Sequence, residues 1–516
     1  MRHPETLATA AHELGAADTA AGRAPIHHVH NADVIAGGNR VARAFDQVGV
    51  PARATVALLG GNTPEFLATH RGITYSGRTL TPLSWRWTAT EVGYVVADCE
   101  AAALVVDARY PALAQAAAGT VRPEARFVFG GELPGFRPWS DIEALSPAPP
   151  DRPLAGRVMM YTSGTTGRPK GVLQPEPSGP PPTVMGAAGM AMLRQFLAPE
   201  YEQGTHLVCT PLYHAGPLTY ADGSLLLGAD AVLLEKFDPE LVLRLIAEYR
   251  IVSTFMVPTH FVRLLRLPAA VRTRYDLRSL KLLAHGSAPV APDVKRAMID
   301  WLGPVLFEFY GGTEGGGTAI DSLSWLAHPG SVGRVLAAYE MAVLDDRGDP
   351  VPTGTPGQIW FRGGVPFAYK GDAEKTDAAR HGDWHTLGDI GYVDNEGYLY
   401  LCDRRADVVI SGGVNIYPAQ VEAVLLACPE VFDCCVVGIP DDEWGEAVHA
   451  VVQPSADIAA SAALGERLLA EARTRLAAYQ VPRSIEFRTD LPRTETGKLA
   501  RRQIRDPYWQ GRQRRI

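Results

Sequence analysis

Residues 161 to 172 read YTSGTTGRPKGV, which puts Ser163, Thr165, Thr166, Gly164, Gly167, Gly171 and Lys170 into one dozen positions. Glycine amides and short hydroxyls donate hydrogen bonds without a fixed charge, and one lysine adds a cation, so this loop has the donors to close over a chain of phosphates. Better-known phosphate cradles do not fit. A P-loop needs G-x-x-x-x-G-K followed by Ser or Thr, whereas Gly167 is followed by Arg168 and Pro169 before Lys170. Near the end, TETGKLA places Leu499 after its lysine, and YGGTEGGG lacks the G-x-G-x-x-G spacing of a dinucleotide fold. HGSAP approaches the nucleophile elbow G-x-S-x-G, but His285 stands where the first glycine belongs.

Such loops need strands to present them. From 158 to 317 an apolar β-rich run, a polar turn and a helical segment recur. HLVCT leads into PLYHAGP, and ADAVLLEKF into DPELVLRLIAEY, where Asp238 suits the cap and Pro239 the first turn of a helix. VSTFMVP leads into THFVRLLRL, LKLLAHGSAPV into APDVKRAMIDWLG, and VLFEFY into GGTEGGG. This alternation predicts an α/β fold with mostly parallel, helix-covered sheets, whose ligands sit beyond the carboxyl ends of the strands. The loops at 163–171, 286–289 and 311–317 should therefore face one crevice. After LCDRRADVV a compact strand, helix and strand pattern begins, of the size of a small α+β domain. The Arg-rich end, ARRQIRDPYWQGRQRRI, reads as a solvated tail.

Composition bounds the partners. A chain of 516 residues exceeds one usual hydrophobic core, so two or more domains are expected. The 49 Lys and Arg against 57 Asp and Glu leave a net charge of −8, with no general attraction to nucleic acid or an anionic membrane. The first twenty residues are interrupted by Glu5, Glu13 and Asp18 and do not resemble a signal peptide, and no apolar run is long enough for integral membrane association. The six cysteines form no CxxC pair, which predicts isolated buried thiols in a cytoplasmic protein.

YTSGTTGRPKGV, PLYHAGP, YGGTEGG, HTLGDIGYVDNEGYLYLCDRRADVVISGGVNIYP and LPRTETGK, in this order, resemble the motif series of the adenylate-forming superfamily, in its acyl-CoA synthetase branch. The resemblance implies a large N-terminal domain over 1–402, a hinge at 403–407 around Arg405 and Ala406, and a small mobile C-terminal domain over 408–516. It also implies ATP, Mg²⁺ and coenzyme A as cofactors, a small-molecule carboxylic acid as substrate, and an acyl-adenylate intermediate. Matched position by position, Ser163, Gly164, Thr165, Thr166, Gly167 and Lys170 would hold the β- and γ-phosphates, and Glu314 would bind the metal. Thr313 would touch the α-phosphate, while Tyr310, Gly311, Gly286, Ser287 and Ala288 would wall the nucleotide. Asp389 would accept the ribose hydroxyls with Arg404 in support. Lys498 would bridge the attacking carboxylate and the α-phosphate. Gly412, Gly413 and Trp444 would line the path of coenzyme A.

The acyl pocket implied by the same resemblance is framed by Tyr213, His214, Val257, Thr259, His260 and Gly311. These side chains offer neither a cation for a second carboxylate nor an acid for an amine, so a hydrophobic acid of fatty, steroidal or other polycyclic type is expected. The chain departs from the usual pattern at Ala406 in the hinge, Gln420, Leu387, Gln480 and the proline-rich GVLQPEPSGPPPTV. Two alternatives remain open: a member that runs mainly one half-reaction, and one that loads a separate carrier protein. A homodimer is compatible with either.

Overall fold

The computed structural model describes residues 25–162, 169–493 and 499–510. They form two compact units. The first holds the described residues up to Gly315 together with Asp321–Leu323 and Gly364–Ala378; the second holds Gly316–Ile320, Ser324–Gly363 and the described residues from Ala379 onward.

In the first unit, strands Thr55–Leu59, Thr79–Leu83, Ala101–Asp107, Arg126–Phe129, Arg137–Pro138 and Arg157–Val158 form an entirely parallel sheet. Val56, Ala57, Leu58 and Leu59 are all buried, as a strand covered by helices on both faces requires. A further parallel set runs through Ala231–Leu234, His206–Val208, Ser253–Met256, Leu282–His285 and Leu306–Gly312, with Ile26–Val29 antiparallel beside Ala231–Leu234. Of the recurrence read from 158 to 317, the strand, loop and helix order is present from 206 to 312, whereas Met160–Thr162 and Lys170–Leu173 pair antiparallel and strand Leu306–Gly312 is followed by strand Gly315–Asp321 rather than a helix. Asp238 caps helix Pro239–Glu248 by accepting the Leu241 amide at 2.8 Å. A small antiparallel sheet pairs Ala368–Tyr369 with Lys170–Leu173, and the latter with Met160–Thr162.

One side chain joins the two parallel sheets. Asn62 follows strand Thr55–Leu59 and is 3% exposed. Its Nδ2 donates to the carbonyls of Thr210 at 3.1 Å and Leu234 at 3.0 Å, and its Oδ1 accepts the Leu212 amide at 2.9 Å. Loops beyond three strand ends thereby share one amide.

The second unit contains an antiparallel sheet of Tyr339–Leu344, Gly357–Gly363, Trp384–Val393, Arg380–His381 and Leu399–Arg404. It also contains a sheet of Val409–Ser411, Val414–Ile416, Val431–Asp441, Gly445–Pro454 and Ser484–Phe487. Helices Pro418–Leu426 and Ala462–Arg475 contribute Val421, Leu425, Leu464, Leu468 and Ala472 to the core of this last sheet. All six cysteines are buried and unpaired. No helix of the described residues is long and apolar enough to cross a membrane.

The solvated-tail reading fails for the described part of the Arg-rich end. Helix Arg501–Arg505 packs inward: Ile504 is fully buried, Arg501 Nη1 donates to Glu422 Oε1, and Trp509 Nε1 donates to the Gly438 carbonyl at 2.9 Å. A buried glutamate partner was not visible from the local charge run. Residues 511–516 lie outside the described set.

Asn62→Asp should lower stability by about 2 to 5 kcal/mol, because a carboxylate cannot donate to the two buried carbonyls. The shift in denaturant midpoint, with the far-UV spectrum retained, measures it.

Candidate active site

The loops that follow the parallel strands lie on one edge of the sheet. Strand Leu282–His285 runs into Gly286, Ser287 and Ala288; strand Leu306–Gly312 carries Tyr310 and Gly311 and runs into Thr313 and Glu314. Gly286 is buried, and a Cβ there would lie 2.4 Å from the Phe309 carbonyl oxygen, so the loop approaches the neighbouring strand too closely for a side chain. Ser287 is exposed and has φ +69°, a left-handed conformation that costs a non-glycine residue energy and tends to be kept where a site needs it. Behind this loop Lys295 and Glu308 are buried as an ion pair at 2.5 Å between helix Pro292–Leu302 and strand Leu306–Gly312. Burial pushes the lysine down and the glutamic acid up, toward their neutral forms, and their mutual contact opposes both shifts.

Glu314 is held by hydroxyls. Its Oε1 accepts the Tyr369 hydroxyl at 2.8 Å and its Oε2 accepts Thr313 Oγ1 at 3.0 Å. Two neutral donors orient the carboxylate and leave its charge in place. That is a suitable anchor for a hard cation such as Mg²⁺, which keeps several waters and binds through one or two carboxylates plus phosphate oxygens. Lys170 Nζ lies 3.0 Å from Asp372 Oδ2, and Lys375 Nζ stands 4.0 Å from the centre of the Tyr369 ring. Desolvation lowers the Lys375 pKa, with Glu314 and Asp372 opposing the shift. Lys170, Asp372, Lys375, Tyr369, Glu314 and Thr313 are thus one connected charged cluster. Ser163, Gly164, Thr165, Thr166 and Gly167 lie outside the described residues.

Tyr369, Asp372 and Lys375 were missed in the sequence reading. They occur in YKGDAEKT, outside the glycine-rich motifs, and their spacing shows only a helix start: Asp372 Oδ1 accepts the Lys375 amide at 3.0 Å. Nothing local in that stretch points to Glu314, 55 residues earlier.

The residues named for the acyl pocket gather beyond strands His206–Val208 and Ser253–Met256. Tyr213 is buried; its ring centre lies 4.4 Å from that of His214 and 6.3 Å from that of Trp85, which stacks on Tyr110. Val257 caps and Thr259 opens helix Pro258–Leu265. His260, on the same helix, stacks on Phe237 with ring centres 3.7 Å apart and planes 9° apart. Burial, with a smaller push from Arg263, takes the His260 pKa down to about 3. His260 is therefore an uncharged, ring-stacked side chain at neutral pH.

In the second unit Asp389 and Arg404 face each other across strands Trp384–Val393 and Leu399–Arg404, with Arg404 Nε 3.5 Å from Asp389 Oδ1. Gly412 and Gly413 take φ of +57° and +81° between strands Val409–Ser411 and Val414–Ile416. A Cβ on Gly412 would lie 2.5 Å from Cε3 of Trp444, and the Gly412 amide donates to the Trp444 carbonyl at 2.8 Å. Trp444 is 42% exposed rather than packed in a core. Lys498 lies outside the described residues; Arg493 and Leu499 on either side pair as an antiparallel bridge.

Residues 32–368 match the family model described as AMP-binding enzyme, and residues 420–498 match that of the AMP-binding enzyme C-terminal domain. The chain belongs to the AMP-binding enzyme family. Within this adenylate-forming family it falls in the acyl-CoA synthetase branch. It is 35% identical over 474 residues to feruloyl-CoA synthase of an Amycolatopsis species, covering 90% of this chain and 91% of that one. It is 32% identical over 479 residues to indoleacetate–CoA ligase of Aromatoleum aromaticum, covering 90% of each. Among solved structures it resembles the amide bond synthetase McbA from Marinactinospora thermotolerans, with a TM-score of 0.79 and 30% identity over 92% of this chain and 94% of that chain.

In this family member, Tyr369→Phe removes one of two hydroxyls that orient Glu314 and should lower pyrophosphate release from ATP about tenfold, while Glu314→Gln should lower it about 100- to 1000-fold. The same protein samples, scored for thioester formation from a supplied acyl-adenylate, should lose far less.

Proposed function

We propose that this enzyme is an ATP-dependent acid–thiol ligase that converts a hydrophobic monocarboxylic acid, of fatty, steroidal or other polycyclic type, to its acyl-CoA through an acyl-adenylate. The observation that carries the choice of acid is the neutral His260 stacked on Phe237, on a helix that follows the strand next to the one leading to the buried Tyr213. A wall on which His260 stays uncharged offers no cation there, so a second carboxylate buried against it would be desolvated and unpaired, at a cost of several kcal/mol. An apolar acid pays no such penalty.

In the first half-reaction the carboxylate oxygen attacks the α-phosphorus of ATP, a phosphorus–oxygen bond forms, and pyrophosphate leaves. Lys170 exchanges Asp372 for phosphate oxygens, Thr313 donates to the α-phosphate, and Tyr310, Gly286, Ser287 and Ala288 flank the adenine. Glu314, oriented by Tyr369 and Thr313, would hold Mg²⁺, which would neutralise charge on the phosphate oxygens. Asp389 receives the ribose hydroxyls. Lys498 bridges carboxylate and α-phosphate where negative charge gathers. In the second half-reaction the coenzyme A thiolate attacks the acyl carbon and AMP leaves with the electron pair of the broken carbon–oxygen bond.

The two steps ask different faces of the C-terminal portion to serve the same acyl group, and we assign its movement to a hinge at 403–407 between 1–402 and 408–516. Residues 408–516 contain a hydrophobic core of their own around Val409, Ile416, Val436, Val448 and Val452, which suits a piece that moves as a body. Gly412 and Gly413, without side chains and beside exposed Trp444, suit the passage of the thiol arm.

Purified protein with a panel of fatty, aryl, steroidal and dicarboxylic acids should release pyrophosphate without coenzyme A for the apolar monoacids and form their thioesters when it is added. A preference for dicarboxylic acids would overturn the substrate class. Lys498→Ala should abolish adenylate formation yet spare thioester formation from a synthetic acyl-adenylate; equal loss of both would overturn the division of labour.

A further inference from the structure

Strand Ile26–Val29 lies antiparallel on Ala231–Leu234, with Ile26 opposite Leu234, His28 opposite Val232 and Val29 opposite Ala231. One more step of the same register sets His30 opposite Asp230. Side chains alternate along a strand, so His28 and His30 share a face with Asp230 while His27 takes the other, where it meets Glu235 at 3.3 Å. Ligand atoms of His28, His30 and Asp230 all lie within 4.8 Å of one another.

We propose that His28, His30 and Asp230 bind a divalent transition-metal ion of the zinc class, with water completing its coordination. Two imidazole nitrogens and one carboxylate oxygen are donors that Zn²⁺ and Co²⁺ prefer and that Mg²⁺ and Ca²⁺ do not. Donors about 2.0 Å from a tetrahedral ion sit about 3.3 Å from one another. His30 Nδ1 and Asp230 Oδ2 are already 2.9 Å apart, and the exposed His30 ring lies edge-on to that of His28. The carboxylate is also held from behind, because Asp230 Oδ1 accepts the Asn31 amide at 2.9 Å.

A bond between His30 and Asp230 at the start of helix Asn31–Gln47 accounts for those two groups as a plain helix-end contact. It does not account for His28. That ring is half-buried with its centre 4.8 Å from that of His30 and 5.3 Å from that of Tyr249. The three residues sit at the amino end of strand Ala231–Leu234, away from the strand ends that carry the candidate active site. The ion would staple the antiparallel edge strand and the following helix onto the sheet.

The test is a Co²⁺ titration of the full chain after chelator treatment, followed by visible absorption, with Zn²⁺, Mg²⁺ and Ca²⁺ as competitors. Ligand-field bands should appear, be displaced by Zn²⁺ and survive Mg²⁺ and Ca²⁺, and Zn²⁺ should raise the melting temperature by several degrees. His28→Ala and Asp230→Asn should each weaken Co²⁺ binding about tenfold or more, while His27→Ala should leave it unchanged; pyrophosphate release should persist in all three. Asp230→Asn keeps an acceptor for the Asn31 amide, so a folded protein is retained for the comparison. Absence of the bands in the unaltered protein, equal displacement by Mg²⁺, or the same affinity in His28→Ala would each overturn the proposal.

Discussion

The buried amide of Asn62 is the constraint on which the first unit depends. Parallel strands end in loops whose backbone groups the sheet itself does not pair, and a crevice shared by loops from two sheets needs something to set their spacing. Asn62 does so with two donated bonds and one accepted bond, from beyond strand Thr55–Leu59 to Thr210, Leu212 and Leu234. Asn62 is buried, so each bond left unmade would cost the desolvation of a polar group. One arrangement of the three loops satisfies the amide, and that arrangement places Tyr213 and His214 just past the clasp.

Charge in the cluster around Glu314 is balanced within the cluster. Lys170 is paired with Asp372, Lys375 lies over the Tyr369 ring, and the Tyr369 hydroxyl reaches Glu314. Under the proposed function, a triphosphate with its cation would bring both signs at once and let these pairs exchange partners without stranding a charge in a partly desolvated place. Hydroxyls rather than cations grip Glu314, and this keeps its carboxylate available. The buried Lys295 and Glu308 pair serves a different purpose: it fixes the helix behind the 286–288 loop to strand Leu306–Gly312.

Much of this was legible from residue types and spacing. The strand, loop and helix recurrence at 206–312, the Asp238 cap, the cysteines without partners and the order of the glycine-rich motifs are properties of short windows, where local sterics and hydrogen bonding decide. Family membership follows from the same short windows read in series. Asn62, Tyr369, Asp372 and Lys375 were not legible. Their partners lie far along the chain: Thr210 is 148 residues from Asn62, and Tyr369 is 55 from Glu314. Arg501 looked like one more surface arginine until Glu422, 79 residues earlier, enclosed it.

By itself the sequence determined the element types, the parallel α/β class and the motifs that mark an adenylate-forming enzyme, because each is written in periodicity and spacing within a few turns of chain. Tertiary structure alone decided which carboxylate is held by hydroxyls, which lysine is paired, that His260 is neutral, and that His28, His30 and Asp230 meet. The energy of a charge or a buried hydrogen bond depends on what surrounds it in space, and sheet register brings those surroundings from distant parts of the chain.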